Sequence, residues 1–318
     1  MPFVYQKCLY MTAFASRILM IRPACFGYNV QTSGSNVFQK KPAMADPEIQ
    51  KHALQEFDRM VELLQQAGIV VEVIQDTPEP CKPDAVFPNN WISFHEQGEV
   101  VIYPMMAPNR RLEKRKDIVD QLQQKGYQVT KLLDLSAYED EGKFLEGTGS
   151  MVLDRANKLI YACLSDRTHA DLLKLMADVF QYQVIAFHAV DERNHPIYHT
   201  NVMMAIGKNF SVICTEAIPD QKEKKQVVDT LLAHHSQLIE ISFAQMHAYA
   251  GNVLYLISQT QDPVIVISAS AYQSLQPSQR KMLESQGSLV IPQIPVIEQT
   301  GGGSVRCMIA EIFLPLLV

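Results

Sequence analysis

The sequence lacks the hallmarks of a membrane-spanning, zinc-binding or nucleic-acid-binding chain. No uninterrupted apolar run approaches the roughly 18 residues that a membrane-spanning helix needs, and the six cysteines include no Cys-x-x-Cys pair. The 28 lysines and arginines are outnumbered by 34 acidic residues, and the one basic run, at 110–116, is typical of a solvated helix face. We therefore predict no nucleic-acid partner, no membrane contact, no metal and no cofactor.

The first residues also lack the apolar block and the small-residue cleavage site of a signal peptide. We therefore predict a cytoplasmic protein with reduced cysteines. Residues 1–16 are predicted to be a poorly ordered N-terminal extension, with Met11 as an alternative start, and residues 17–318 to form a single catalytic domain. A composition of 47% hydrophobic and 19% charged residues is ordinary for a globular enzyme.

Five short segments share one pattern: each begins with polar residues or glycine and then becomes an apolar strand. They begin at residues 84, 146, 199, 251 and 303, so successive starts lie 62, 53, 52 and 52 residues apart. This near-constant spacing is close to the period of repeat architectures. The spacing therefore predicts five structural units.

The segments that follow each start also recur. Second strands are predicted at 100–103, 159–164, 210–214 and 264–268, helices near 109–125, 166–180, 220–235 and 274–286, and third strands at 127–129 and 288–291. The fifth unit lacks its later elements, but a strand at 18–21, a helix at 47–67 and a strand at 69–74 supply them from the N-terminus. We predict a five-bladed α/β propeller of ββαβ-type repeats, closed by the N- and C-terminal strands. An open α/β sheet with parallel strands is the alternative.

In such a ring the polar starts of the five units face one another around the axis. These starts contain a cysteine, a histidine, two carboxylates and three asparagines, namely Cys307, His199, Asp84, Glu146, Asn89, Asn90 and Asn201. A thiolate is a strong nucleophile, histidine transfers protons near neutral pH, and a carboxylate orients the histidine or a cationic ligand. The convergence predicts a covalent hydrolytic site.

These residues also carry a family resemblance. The stretches GGGSVRCM at 301–308, YHTN at 198–201, FLEGTGSMVL at 144–153 and PDAVFPNNW at 83–91 resemble, in order, the arginine deiminase, dimethylarginine dimethylaminohydrolase and amidinotransferase superfamily, the penteins. The likeness covers residues 17–313 and is closest to the citrulline-hydrolysing branch.

The resemblance implies a role for each site residue. Cys307 would attack the guanidino carbon and form a thiouronium-type intermediate, His199 would protonate the leaving amine and activate water, and Glu146 would hold guanidino nitrogens and orient His199. The substrate-binding residues would be Asp84, Phe87, Asn89, Asn90, Arg111, Arg167, Asn201, Gly302 and Gly303, with the two arginines on the α-carboxylate. The implied partner is a small arginine-like amino acid.

Two positions depart from the family pattern. This chain has Asn89 and Asn90 where the dimethylaminohydrolases usually carry an acidic pair, and Asn201 where deiminases usually carry Asp. An amide both donates and accepts hydrogen bonds but does not neutralise a full cation. We therefore expect a ureido group, as in citrulline, or a substituted guanidine.

Several alternatives stay open at this point. Amidino transfer to an amine acceptor, and a non-catalytic binding protein on the same fold, both fit the pattern, and a homodimer is neither required nor excluded. Asn29, Asn36 and Gln39 form either a lid over the site or a surface loop. Cys163 and Cys214 are predicted to be buried small hydrophobes.

Overall fold

The computed structural model describes residues 13–317 and folds them into five small β-sheets of three strands each. The strands are β1 Arg17–Arg22, β2 Val70–Gln75, β3 Ile92–Phe94, β4 Glu99–Ile102, β5 Lys131–Asp134, β6 Val152–Asp154, β7 Leu159–Cys163, β8 Gln183–Phe187, β9 Met204–Ile206, β10 Phe210–Ile213, β11 Gln237–Glu240, β12 Leu254–Ile257, β13 Pro263–Val266, β14 Ser288–Val290 and β15 Ala310–Glu311. Within residues 13–317, no helix is long and apolar enough to span a membrane.

Every sheet has the same topology. The first strand pairs antiparallel with the middle strand, as Ser93 of β3 does with Val101 of β4, and the third strand runs parallel to the middle one, as Leu132 of β5 does to Val100. A parallel pair needs a crossover connection, which a helix provides in each unit. The sheets are therefore repeats of one unit, and they exclude the alternative of an open parallel sheet.

The fifth sheet joins the two ends of the chain. Strand β1 pairs antiparallel with β15, where Ile18 lies opposite Glu311, and parallel with β2, where Ile18 lies opposite Val71. The ring therefore closes between the N-terminal and C-terminal strands, and the predicted five-unit α/β propeller is confirmed.

The helices are more broken than the sequence pattern predicted. They are α1 Asp46–Gln66, α2 Pro108–Arg111, α3 Asp117–Gln124, α4 Gly147–Ser150, α5 Ala170–Phe180, α6 Gln221–His234, α7 Phe243–His247, α8 Ala269–Ser274, α9 Pro277–Glu284 and α10 Pro295–Gly301, with 3-10 turns at Pro88–Asn90, Ser136–Glu139, Thr200–Val202 and Thr215–Ala217. The single helix predicted at 109–125 is two, α2 and α3. The helix predicted at 274–286 corresponds to α9, which begins after Gln276, a residue kept extended by Pro277, and α8 before it was not predicted.

The core forms between helices and sheets as the apolar periodicity predicted. Helix α1 buries one face, made of Ile49, Ala53, Phe57, Met60 and Leu64, in a cluster that also contains Ile18 and Met20 of β1. Burying each large apolar side chain contributes about 1.5–3 kcal/mol. This packing holds helix α1 against the sheet of the fifth unit.

Two local predictions are wrong. The third strand predicted at 127–129 lies at β5, and Tyr127 instead forms an isolated bridge with Leu316. The predicted N-terminal extension is too long, because Phe14 packs edge-on against Tyr255 and Ala15 is buried. The rest of that prediction, residues 1–12 with Met11, lies outside the described residues.

The cysteines correct a further expectation. Cys25 and Cys81 form a disulfide with their Cα atoms 5.4 Å apart, so the predicted fully reduced state is wrong for this pair. No Cys-x-x-Cys motif signals this bond, because the two residues are 56 positions apart and the fold brings them together. The cytoplasmic location stays a prediction.

The polar starts form turns just before the first strand of each unit. Three residues before each of these strands lie, in chain order, Asn89, Gly149, Asn201, Gly251 and Cys307. Cys307 therefore lies in a turn, whereas the sequence pattern had predicted it just inside the last strand. These five equivalent positions bring residues that are distant in sequence to the ring's centre.

Candidate active site

A small cavity lies where the turns meet. Its lining comes from the loop after β1, from three of the units and from the C-terminal turn: Thr32, Asn36, Asp84, Phe87, Asn90, Arg110, Arg167, Tyr198, His199, Gly301, Gly302, Gly303 and Cys307. Both the predicted nucleophile and the predicted histidine thus face the same enclosed space.

The turn that carries Cys307 follows helix α10 and is held on both sides. Gly302 adopts a left-handed φ of 66°, which glycine tolerates and other residues rarely adopt. The Cys307 N–H donates to the Ser304 carbonyl at 2.9 Å, and the Cys307 sulfur accepts hydrogen bonds from the side-chain amides of Asn201 and Asn252, both at 3.4 Å. Cys307 is 5% exposed, so solvent barely reaches its side chain.

His199 is oriented by a buried carboxylate. Its Nε2 lies 2.8 Å from Glu146 Oε2, and the same oxygen accepts from Arg167 Nη1 at 3.3 Å. Gly149 allows this arrangement, because a Cβ there would lie 2.8 Å from His199 Nδ1 and 2.3 Å from Asn90 Nδ2. Glu146 itself is fully buried behind His199 and is not among the residues that line the cavity.

The charges of this pair follow from burial and from Arg167. Burial lowers the pKa of His199 to about 4, although the neighbouring Glu146 carboxylate opposes the shift. Burial alone would raise the pKa of Glu146, but Arg167 and the hydrogen bond from His199 hold that pKa well below its usual value. In the free protein at neutral pH, His199 is therefore neutral and Glu146 is ionised.

Asp84 is the carboxylate that faces the cavity. Its Oδ2 accepts from Asn29 Nδ2 at 2.7 Å and from Thr32 Oγ1 at 3.4 Å, and Arg110 Nε lies 3.7 Å away. Its Oδ1 is buried without a hydrogen-bond partner in residues 13–317. Burial raises the pKa of Asp84, while Arg110 acts in the opposite direction.

Arg110, rather than the predicted Arg111, lines the cavity. The Arg111 guanidinium turns away and donates to the carbonyls of Met105 and Met106. Arg110 is buried, donates to Asn90 Oδ1 at 2.9 Å and forms a bidentate pair with Glu113 at 2.8–2.9 Å. Adjacent residues on a helix point in directions about 100° apart, so the sequence alone did not distinguish the two arginines.

A covering loop, defined as residues 23–45, closes one side of the cavity. Asn36 Nδ2 donates to the Gly302 carbonyl at 3.3 Å, Gln39 Nε2 donates to the Thr300 carbonyl at 3.4 Å, and Ser35 Oγ accepts from Arg167. Of the two alternatives for this polar stretch, the lid fits these contacts.

The structure brings together most, but not all, of the predicted substrate-binding residues. Asp84, Phe87, Asn90, Arg167, Gly302 and Gly303 line the cavity, whereas Asn89, Asn201 and Arg111 do not. Sequence analysis missed Arg110, Tyr198, which donates to the Gly302 carbonyl at 3.0 Å, and Asn252. Tyr198 directly precedes His199, and Asn252 begins the fourth apolar segment, so both lay beside signals already identified. Among residues 13–317, no group of three His, Cys, Asp or Glu side chains could hold a metal ion.

With this geometry established, the chain can be compared with known families. Residues 22–314 match the family described as N,N dimethylarginine dimethylhydrolase, eukaryotic. The chain belongs to this family. The matched region contains four complete units, most of the fifth and each residue of the candidate site, whereas no curated protein matches the chain.

Solved structures share this fold at low sequence identity. Unliganded ArgZ, an arginine dihydrolase from the ornithine-ammonia cycle in cyanobacteria, matches with a TM-score of 0.72 and 17% identity over 95% of this chain and 41% of ArgZ. A cysteine-to-alanine variant of AgrE, in complex with L-arginine, matches with a TM-score of 0.73 and 16% identity over 95% of this chain and 40% of AgrE.

A third structure matches over its whole length. It is a histidine-to-glycine variant of dimethylarginine dimethylaminohydrolase, solved as an adduct with S-methyl-L-thiocitrulline, and it gives a TM-score of 0.63 and 16% identity over 94% of this chain and 100% of its own. The present chain therefore covers about two fifths of the length of ArgZ and AgrE, and the whole length of the dimethylarginine dimethylaminohydrolase chain. At these identities the likeness shows the fold.

Proposed function

We propose that this protein hydrolyses the guanidino or ureido carbon–nitrogen bond of an arginine-like amino acid through a covalent intermediate on Cys307. The observation that carries the proposal is that Cys307 and His199 line one cavity, with Glu146 2.8 Å behind His199. A nucleophile, a proton-transfer group and an orienting carboxylate are the parts that covalent hydrolysis needs. Membership of a hydrolase family supports the same chemistry.

The neutral state of His199 defines the order of proton transfers. A neutral imidazole accepts a proton before it can donate one. In the first step the Cys307 sulfur bonds to the substrate carbon, the thiol proton passes to His199, and His199 gives it to the departing nitrogen as the carbon–nitrogen bond breaks. In the second step His199 takes a proton from water, the oxygen bonds to carbon, and the carbon–sulfur bond breaks as His199 returns the proton to the sulfur, which regenerates the thiol.

Glu146 and Asp84 have different roles in the proposed reaction. Glu146 holds His199 by its Nε2 and stabilises the imidazolium that forms during the reaction. Because Glu146 does not line the cavity, its direct contact with the guanidino nitrogens, which the resemblance had implied, is not part of this proposal. Asp84 is the acidic side chain placed to accept hydrogen bonds from the substrate's nitrogens.

Arg167 is the better of the two predicted anchors for the α-carboxylate. It lines the cavity, and its Nε is buried without a hydrogen-bond partner in the described part of the chain. A buried donor without a partner costs free energy that a bound carboxylate oxygen would recover. Arg110 is already neutralised by its bidentate pair with Glu113 and serves to hold Asn90 and Asp84 in place.

The end group of the substrate follows from the unpaired polar atoms of the site. Asp84 Oδ1 is a buried acceptor and Asn90 Nδ2 is a buried donor, both residues line the cavity, and neither atom has a partner within residues 13–317. A ureido group presents both an oxygen acceptor and N–H donors, so it matches this mixed set better than a guanidinium, which only donates. The raised pKa of Asp84 also favours a neutral ligand. We therefore propose citrulline or a substituted guanidine as substrate.

The test is a comparison of substrates with matched variants. Purified protein would be incubated with arginine, methylated arginines and citrulline, with and without an amine acceptor, and the released amine or ammonia measured. We expect turnover of citrulline or a substituted arginine, no dependence on the acceptor, and loss of turnover in Cys307→Ser but not in Cys214→Ser. Brisk turnover of arginine alone would refute the ureido preference. A fully active Cys307→Ser protein would refute the covalent mechanism.

A further inference from the structure

The sulfur of Cys307 has an unusual set of neighbours for a nucleophile. Within residues 13–317 its hydrogen-bond donors are two amides, Asn201 Nδ2 and Asn252 Nδ2, each 3.4 Å away. Both asparagines are 1% exposed, so neither amide has water as an alternative partner. Hydrogen bonds to a charged group are stronger than those to a neutral one. Two donors aimed at one sulfur therefore favour the thiolate over the thiol.

The direction of the Asn252 amide is determined by chemistry. Its Oδ1 accepts from the Arg306 backbone N–H at 2.9 Å, and its Nδ2 donates to the Asn201 carbonyl at 2.9 Å as well as to the sulfur. A flipped amide would place its NH₂ group against the Arg306 N–H, and two donors cannot bond to each other. The N–H that points to the sulfur is thus fixed by the backbone.

Asn252 also joins three units at the reactive atom. The carbonyl of Asn201 belongs to the third unit, Asn252 to the fourth, and Arg306 directly precedes Cys307 in the fifth. Asn201 is held less firmly, because its Oδ1 has no partner in the described part of the chain. Asn252 therefore sets both the position of the Cys307 turn and one donor to its sulfur.

We infer that Asn252 stabilises the thiolate that Cys307 forms when it loses its proton, with Asn201 as a second, weaker donor. This inference rests on the proposed nucleophilic role of Cys307. No imidazolium is available for the task in the free protein, because burial holds the pKa of His199 at about 4 and the ring is neutral. The amides supply the stabilisation that a cationic neighbour provides in other reactive cysteines.

The test measures ionisation of the thiol in the absence of substrate. The ultraviolet absorbance of the thiolate would be followed against pH in the wild-type protein, in Asn252→Asp and in Asn252→Ser, with Cys307→Ser as the background. Asp retains the acceptor for the Arg306 N–H but removes the donor, and Ser replaces the amide with a hydroxyl one bond shorter, which removes the Nδ2 donor without adding charge. We expect the ionisation midpoint to rise by about one pH unit or more in both variants, and further in Asp than in Ser.

Two controls separate this effect from general damage. Asn209→Asp makes the same substitution at an exposed residue, and its ionisation curve should match that of the wild type. Asn201→Ala should raise the midpoint by less than Asn252→Ser does, which keeps the inference testable if the Asn252 variants do not fold. Folding would be checked by circular dichroism.

The outcomes distinguish this inference from the proposed function. An unchanged midpoint in a folded Asn252→Asp or Asn252→Ser protein would overturn the inference, even if Cys307→Ser were inactive. If Cys307→Ser kept full hydrolytic activity while the Asn252 variants shifted the midpoint, the proposed function would fail and the thiolate contact would stand.

Discussion

Two buried cysteines of this protein lie in contrasting surroundings. Cys163 is in the middle strand β7, where burial raises the pKa of its thiol to about 12 and the side chain of Thr200 contacts it. Cys307 is in a turn at the ring's centre, lines the cavity and receives two amide hydrogen bonds. Both are nearly inaccessible to solvent, so burial does not separate them. Position in the unit, middle strand or inner turn, is therefore what distinguishes the packed Cys163 from the proposed nucleophile Cys307.

The largest expected effect comes from replacing each of the two cysteines in turn. Cys307→Ser should lower kcat by roughly 10⁵-fold, because no other group in the cavity can form the covalent bond. Cys163→Ala should leave kcat unchanged and lower the free energy of unfolding by about 1–2 kcal/mol, through the small space left in the core. Steady-state kinetics and urea unfolding of both variants test this. A large loss of kcat in Cys163→Ala would break the comparison.

The second prediction compares two buried carboxylate–histidine pairs. Glu146→Gln should lower kcat by roughly 10³-fold, because a neutral amide no longer stabilises the imidazolium of His199. Asp154 pairs with His235 at 3.0 Å, and neither residue lines the cavity. Asp154→Asn should therefore lower stability and leave kcat unchanged. Equal kinetic losses in the two variants would show that the Glu146 effect is structural.

The third prediction concerns the pH dependence of stability. The pKa of His199 is about 4 in the folded chain against an ordinary value of 6.5, so between these values the unfolded chain binds a proton that the folded chain does not. The free energy of unfolding should therefore fall as pH is lowered through this window, by roughly 3 kcal/mol in total. In His199→Gln this contribution should vanish. Denaturant unfolding across the window, in both proteins, measures the difference in slope.

The smallest expected effect compares two left-handed glycines. Gly302→Ala places a Cβ 2.6 Å from Asn36 and Gln39 of the covering loop, whereas a Cβ at Gly126, which also has positive φ, meets nothing within 4 Å. Both variants should lose about 1 kcal/mol of stability from backbone strain. We expect KM to rise only in Gly302→Ala, because only there is the loop displaced. A similar KM in the two variants would mean that the loop does not contribute to binding.

Much of the architecture could be predicted from local patterns. The alternation of polar starts and apolar strands identified all five units, and the 3.6-residue periodicity identified the face of helix α1 that is buried. Boundaries were less predictable where local chemistry competes with periodicity. The apolar pattern at 109–125 divides into α2 and α3, and the third strand of the first unit begins after Thr130, beyond the Tyr127 that forms a bridge with Leu316.

The site was predicted in its chemistry but less well in its contacts. Cys307, His199 and Asp84 were identified because they are reactive residue types in the polar starts of different units. Arg110 was missed in favour of its neighbour, since the rotation of a short helix decides which guanidinium enters the cavity. Asn252 was missed because an amide is not a reactive residue type, and its role depends on three partners from two other units.

The sequence by itself determined that five similar units exist, that the termini complete one unit together, and that a cysteine, a histidine and carboxylates head different units. These properties reside in residue types and spacing, which act within one unit. Tertiary structure decided that Glu146 lies behind His199, that Arg110 faces the cavity, that Cys25 bonds to Cys81 and that two amides meet one sulfur. Such contacts join residues from separate units, so they arise only when the ring closes and burial removes water as a competing partner.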